Sequence, residues 1–290
     1  MSAKDAPPPL PEPLPVAVAD SHTHLDMQSG TVEEALTKAG LVGVETVVQV
    51  GCDLKGSHWA AETAARYANV HAAVALHPNE APRIVLGDPG GEGPRGRGRE
   101  AGGDAALDDA LAEIDRLAAL DHVKAVGETG LDHFRTGPEG RQAQERSFRA
   151  HIEIAKRHGK ALVIHDREAH DDVLRVLAEE GAPERTVFHC YSGDADMARI
   201  CAEHGYYMSF AGNVTFKNAQ PLRDALAVAP LELVLVETDA PFLTPAPYRG
   251  RPNAPYLVPI TVRAMAAVRG IGEEAMATAI AENTARAFDY

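Results

Sequence analysis

Two histidines one residue apart, His22 and His24, follow an apolar run in the segment Asp20-Ser21-His22-Thr23-His24. Side chains on an extended backbone alternate with period two, so both imidazoles point to one side and can grip one cation. Four more polar residues stand where apolar runs stop: Glu128 in VKAVGETGLD, His165 in ALVIH, His189 in TVFHC and Asp239 in ELVLVETDA. A desolvated imidazole or carboxylate needs a partner. For the histidines that partner could be a hydrogen bond within the core, and for the carboxylates a salt bridge at a rim, although few cationic residues stand near them. A metal accounts for all six together. Six N and O donors without a thiolate suit zinc, manganese, magnesium or iron, and six are too many for one tetrahedral ion. Two ions bridged by a carboxylate, roughly 3.5 to 4 Å apart, clamp a scissile phosphate or carbonyl and generate a hydroxide nucleophile near neutral pH. That is hydrolytic chemistry.

Residues so scattered along the chain must be gathered by a repeating fold. Short β-branched runs alternate with longer Ala-, Leu- and Glu-rich stretches of helical period, the pattern of parallel βα units. Candidate strands cover 16–20, 44–50, 70–76, 123–128, 161–165, 186–190, 206–210 and 232–238. The clearest helices are DLKGSHWAAETAARYA, DDALAEIDRLAAL, GRQAQERSFRAHIEIAKRHG and the closing stretch from Gly272 to Phe288. Eight such units predict an α/β fold of the (β/α)8 TIM-barrel type, a single domain over 16–290, whose active site lies at the C-terminal ends of its strands. The opening MSAKDAPPPLPEPLP is expected to be a flexible, disordered Pro-rich arm over 1–15, and the Gly-, Pro- and charge-rich stretch over 86–104 an exposed insertion.

At 290 residues, 45% hydrophobic and 24% charged, the chain has enough apolar material for a sizeable core. Cys52, Cys190 and Cys201 form no disulfide framework and no CxxC pair, which fits a reducing cytoplasm. No secretory h-region and no run of 18 apolar residues is present, so no membrane association is expected, and nothing calls for an obligate protein partner. A net charge of −14 excludes a broad electropositive surface, so a nucleic-acid substrate would have to be held locally.

Taken together, DSHTHLD, GETGLDHFR, VIHDREAHDD, FHCYSGD and ETDAPFLTP resemble the TatD family of metal-dependent deoxyribonucleases, in order and spacing, across the chain after the arm. RGRPNAPYLVP and AENTARAFDY resemble its closing segments. The resemblance implies an amidohydrolase-like barrel in which His22, His24, Glu128 and Asp239 hold one divalent ion while Glu128, His165 and His189 hold a second, with Mg²⁺, Mn²⁺ or Zn²⁺ as candidates. It also implies that Asp239 orients or deprotonates the attacking water and that Glu237 supports the ligands from behind. His77, in a His-Pro that lies at the family's site mouth, is a candidate phosphate contact or simply a loop histidine. His133, Arg135 and Arg167 are candidate phosphate contacts, the alternative being exposed rim side chains, and Tyr191 with Ser192 and Gly193 would shape the pocket floor. The family often has an aromatic residue where His133 stands and a His-Pro-His where Asn79 stands. The activity implied is deoxyribonuclease action on DNA ends or single strands; the alternative is a related barrel hydrolase acting on an amide, ester or lactone.

Overall fold

The computed structural model describes residues 6–87 and 101–290. Its strands are β1 (Val18–Thr23), β2 (Val44–Val50), β3 (Val70–Val74), β4 (Val123–Asp132), β5 (Ala161–Arg167), β6 (Thr186–Phe188), β7 (Tyr207–Phe210) and β8 (Val234–Val236). Between and after them run α1 (Val32–Gly40), α2 (Leu54–Arg66), α3 (Glu80–Leu86), α4 (Gly103–Ala118), α5 (Pro138–His158), α6 (His170–Glu180), α7 (Ala195–Glu203), α8 (Gln220–Val228), α9 (Val258–Arg269) and α10 (Glu273–Phe288). The strands form one sheet in the order β1 to β8, and Thr23 of β1 bridges in parallel to Ala240, just beyond β8. Sequential order with return of the last strand to the first is the topology of a (β/α)8 barrel, as the alternating pattern predicts.

The chain divides into two compact units: Met1–Gln49 with Arg66–His71 and Val187–Tyr290, and Val50–Ala65 with Ala72–Thr186. In the first, β1 runs past the expected end at 20 because Thr23 still pairs with Gln49 of β2. In the second, β4 runs past Glu128 because Thr129 to Asp132 pair with Ile164 to Arg167 of β5. Both extensions carry polar residues that an apolar-run criterion leaves out. The longest helix, α5, starts with Pro138 and stops at Gly159, whose φ of 58° satisfies a left-handed cap, with Lys156, Arg157 and His158 in its last turn. The stop and the dipole-matched charges are those of the Lys-Arg-His-Gly ending of the segment expected to be helical, whereas the helix begins two residues before that segment's Gly140.

Both ends of the 86–104 stretch are helical: Leu86 ends α3, and Gly103 and Asp104 open α4. Of that expected insertion, 88–100 lies outside the described residues, as do 1–5. From Ala6 the Pro-rich arm has no helix or strand, yet it is held. Arg251 donates to the carbonyls of Ala6 (2.8 Å) and Pro7 (2.7 Å), the Tyr256 hydroxyl to Pro8 (2.8 Å), and Arg263 to Glu12 (2.8 Å). Leu14 is buried, and its N–H donates to Val42.

Within the second unit α5 carries a fully buried histidine, His151. Its Nδ1 lies 2.7 Å from the Ser147 carbonyl, and its Nε2 accepts from the Leu76 N–H at 3.1 Å. Burial lowers its pKa from 6.5 to about 4. The folded chain therefore binds less proton than the unfolded chain between those values, so stability is complete above pH 6.5 and is lost as pH falls toward 4, by roughly 3 kcal/mol in all. Urea unfolding of the wild type and of His151→Gln at pH 7 and pH 5 checks this. The wild type should lose more stability over that interval than the variant, and equal losses would refute the assignment.

Candidate metal centre

In the first unit β1 carries His22, and His24 follows just past its end, with their Nε2 atoms 3.3 Å apart. The turn after β8 places Asp239 Oδ1 3.5 Å from His24 Nε2 and 3.9 Å from His22 Nε2. Bonds of about 2.0–2.1 Å at a tetrahedral angle separate ligand atoms by about 3.3–3.4 Å. The His–His edge matches that figure and the His24–Asp239 edge comes within a tenth or two of it, while the His22–Asp239 edge is about half an ångström longer, so the three side chains approach the spacing of donors around one cation without all meeting it. His189 stacks on His22 with ring centroids 3.9 Å apart. Its Nδ1 lies 3.3 Å from Glu237 Oε1, which also accepts from the Cys190 N–H at 2.8 Å. With Nδ1–H given to Glu237, Nε2 is the nitrogen left to bind a cation. Donor atoms of His22, His189 and Glu237 lie within 4.8 Å of one another. Burial pushes the Glu237 carboxyl upward and the His189 hydrogen bond opposes it.

The turn that carries Asp239 is fixed on three sides. Its own N–H donates to the His22 carbonyl at 2.9 Å. Thr238 donates to the buried Asp20 through both its N–H and its hydroxyl, and Asn253 donates to the Thr238 carbonyl at 2.9 Å. Asp239 has φ 52°, a left-handed conformation that Asp and Asn tolerate better than other non-glycine residues. Burial pushes Asp20 up to about 7 against the pull of the Thr238 hydrogen bonds.

In the second unit β4 and β5 bring Glu128 and His165 together, Nδ1 to Oε2 at 3.4 Å. The other ring nitrogen of His165 lies 3.3 Å from Asp132 Oδ2. Burial works to raise the Asp132 carboxyl, but hydrogen bonds from His165, from Asn79 and from the Arg135 N–H outweigh it and hold the group well below the usual carboxylate range. Asp132 thus lies beside one ring nitrogen of His165 while the other is hydrogen-bonded to Glu128, so unlike His189 this ring has a carboxylate at each nitrogen. Cys52 donates its thiol to Glu128 Oε1 at 3.3 Å. His77 joins the cluster, its ring centroid 4.5 Å from that of His165, and His77, Glu128 and His165 offer donor atoms within 4.8 Å of one another. The Asn79 N–H donates to His77 Nδ1 at 3.1 Å, so the neutral ring carries its proton on Nε2 and presents a hydrogen-bond donor.

Among the other expected substrate contacts, Arg135 is exposed. The guanidinium of Arg167 lies 3.9 Å from the centre of the Phe134 ring, and His133 Nδ1 is 3.9 Å from Asp172. Tyr191 is buried, and its hydroxyl donates to the Asp194 carbonyl at 2.9 Å; its polar end is used inside its own loop. A concavity beside α5, lined by Leu131, His133, Arg141, Gln142, Glu145, Arg146 and Arg149, holds none of the six candidate ligands. Sequence reasoning missed Asp20, Asp132 and Asn253 as supports. Asp132 had a signal, since it ends the same GETGLD run as Glu128; Asn253 had none short of knowing where its loop returns.

Replacing Glu237 by Gln keeps the shape and removes the charge that holds His189 Nδ1–H. Metal affinity should fall about 10- to 100-fold, read by competition with a chelating indicator, and unchanged affinity would remove Glu237 from this role.

The model of the family described as TatD related DNase matches residues 19–289. A Mycobacterium tuberculosis H37Rv protein named as an uncharacterized metal-dependent hydrolase TatD is 42% identical over 279 residues, 93% of this chain and 97% of its own. The metal-dependent hydrolase YcfH of Escherichia coli K12 is 34% identical over 277 residues, 93% of this chain and 95% of its own. The crystal structure of YJJV, a TatD homolog from E. coli K12, superposes with a TM-score of 0.81 at 26% identity, covering 94% of this chain and 98% of that one. Likeness on this scale, running from the first strand into the last helix, places the chain in the TatD family of metal-dependent hydrolases.

Proposed function

We propose that this chain hydrolyses phosphodiester bonds of DNA, at ends or in single strands, with two divalent ions drawn from Mg²⁺, Mn²⁺ and Zn²⁺. His22, His24, Glu128 and Asp239 would hold one and Glu128, His165 and His189 the other, with Glu128 shared. When bound, such ions neutralise phosphate charge and lower the pKa of water toward neutrality. The observation that carries the reading is the gathering of His22, His24 and Asp239, with donor atoms 3.3 to 3.9 Å apart, in a member of a DNase-related family. Asp239, with its side chain 13% exposed against 0% for His22 and 2% for His24, reaches solvent best among those three and is suited to take a proton from the attacking water. Glu237 fixes the ring orientation of His189, and Asp132 stands beside that of His165. His77, through its Nε2–H, and His133, Arg135 and Arg167 would contact phosphate oxygens, a local answer to an overall charge of −14. No described helix is long and apolar enough to cross a membrane. Its three cysteines, none in a disulfide, suit the cytoplasm.

The test incubates purified protein with each metal and single-stranded DNA, duplex DNA, bis(p-nitrophenyl) phosphate, and a panel of p-nitrophenyl esters, amides and lactones. Metal-dependent turnover of DNA and of the phosphodiester is expected. Turnover confined to the carbonyl substrates would overturn the proposal in favour of an amide, ester or lactone hydrolase.

A further inference from the structure

Two of the seven phenylalanines are more than half exposed, Phe134 at 56% and Phe242 at 54%. Each sits in a segment that carries candidate ligands. Phe134 follows β4 directly, two residues after Asp132. Phe242 lies three residues after Asp239, with its ring centroid 6.2 Å from that of His24 in an edge-on arrangement. An exposed aliphatic side chain is ordinary, but an exposed ring beside a polar site leaves a large apolar face for something flat to cover.

Behind Phe134 stands Arg167. Its guanidinium lies 3.9 Å from the ring centre, and Arg167 shares the side of β5 on which His165 lies, being two residues further along the strand. Several arginines of this acidic chain are tied to carboxylates, Arg149 to Glu145, Glu179 and Glu180 and Arg175 to Glu145, Asp172 and Glu179. Among the described residues no carboxylate forms an ion pair with Arg167. A cation kept unpaired and stacked on an exposed ring offers a face for a base and a positive charge for its phosphate.

We propose that Phe134, backed by Arg167, and Phe242 are stacking platforms for nucleobases of an unpaired strand, and that they set the preference for single-stranded over duplex substrate. The inference rests on the DNA-hydrolase reading above. A base held in a duplex keeps its faces on its neighbours and cannot use either ring.

The test compares wild type with Phe134→Ala, Phe242→Ala and Phe134→Trp on three substrates: a single-stranded oligonucleotide, the same oligonucleotide made abasic, and bis(p-nitrophenyl) phosphate. Each alanine variant should raise KM for the normal oligonucleotide roughly tenfold or more. Turnover of the abasic strand and of the small diester should stay within about twofold, and Phe134→Trp should keep wild-type KM. Alanine variants that leave KM on the normal strand unchanged, or that impair the base-free substrates equally, overturn the platforms while the hydrolase reading stands. Wild-type protein that cuts the small diester but no DNA overturns both.

Discussion

Asp239→Asn should lower kcat by about a thousandfold or more while the protein stays folded. Proton transfer by a positioned base is worth about 10² to 10⁴ in rate, and this residue is also assigned as a ligand, so loss of its charge acts on both. Asn suits the comparison because the position has φ 52°, which Asn tolerates as Asp does. Its backbone hydrogen bond to the His22 carbonyl is untouched. Steady-state kinetics on the small phosphodiester, with circular dichroism melts of both proteins, give the answer. A kcat within tenfold of wild type, with unchanged metal content, would show that Asp239 is not the proton acceptor.

Withdrawal of metal should abolish turnover altogether. The first unit holds His22, His24 and His189, all buried, with the Nε2 atoms of His22 and His24 3.3 Å apart and the ring of His189 stacked on that of His22. In the second, Cys52 donates to Glu128, whose other carboxylate oxygen lies 3.4 Å from His165 Nδ1. Dialysis against a chelator removes the ions, and adding back each of Mg²⁺, Mn²⁺ and Zn²⁺ separately should restore activity with at least one of them. An ion at 100 to 1,000 times its Kd stabilises the folded state by about 3 to 4 kcal/mol, so calorimetry should show the melting temperature rise with the restoring ion. Full activity in chelator, or no thermal shift with any of the three, would refute a metal requirement. Elemental analysis of the reconstituted protein gives the number of ions.

The regular parts of this fold were legible because periodicity reports burial. β2 coincides with its expected span, 44–50. β4 does not: the expected strand stops at 128, while pairing with β5 carries the real one to Asp132. Hydrogen bonding between neighbouring strands, which no single run can reveal, decides such ends. The same division holds at the site. His22, His24 and Glu128 are visible as polar residues where apolar segments stop, whereas Asp20 and Asn253 act by holding the turn that carries Asp239. Their role depends on contacts between residues far apart in the chain. Tyr191 shows the converse, a residue in a telling motif whose hydroxyl is used by its own loop.

The proline-rich stretch at the start has a consequence for how the protein tolerates change. Arg251 and Tyr256 reach back to Ala6, Pro7 and Pro8 from either side of Asn253, the residue that ties down the turn after β8. A segment that looks dispensable therefore braces, at one remove, the loop behind a candidate catalytic carboxylate. Cutting it away would leave those donors to water and loosen the brace, so a shortened variant could keep every ligand and still position one of them poorly.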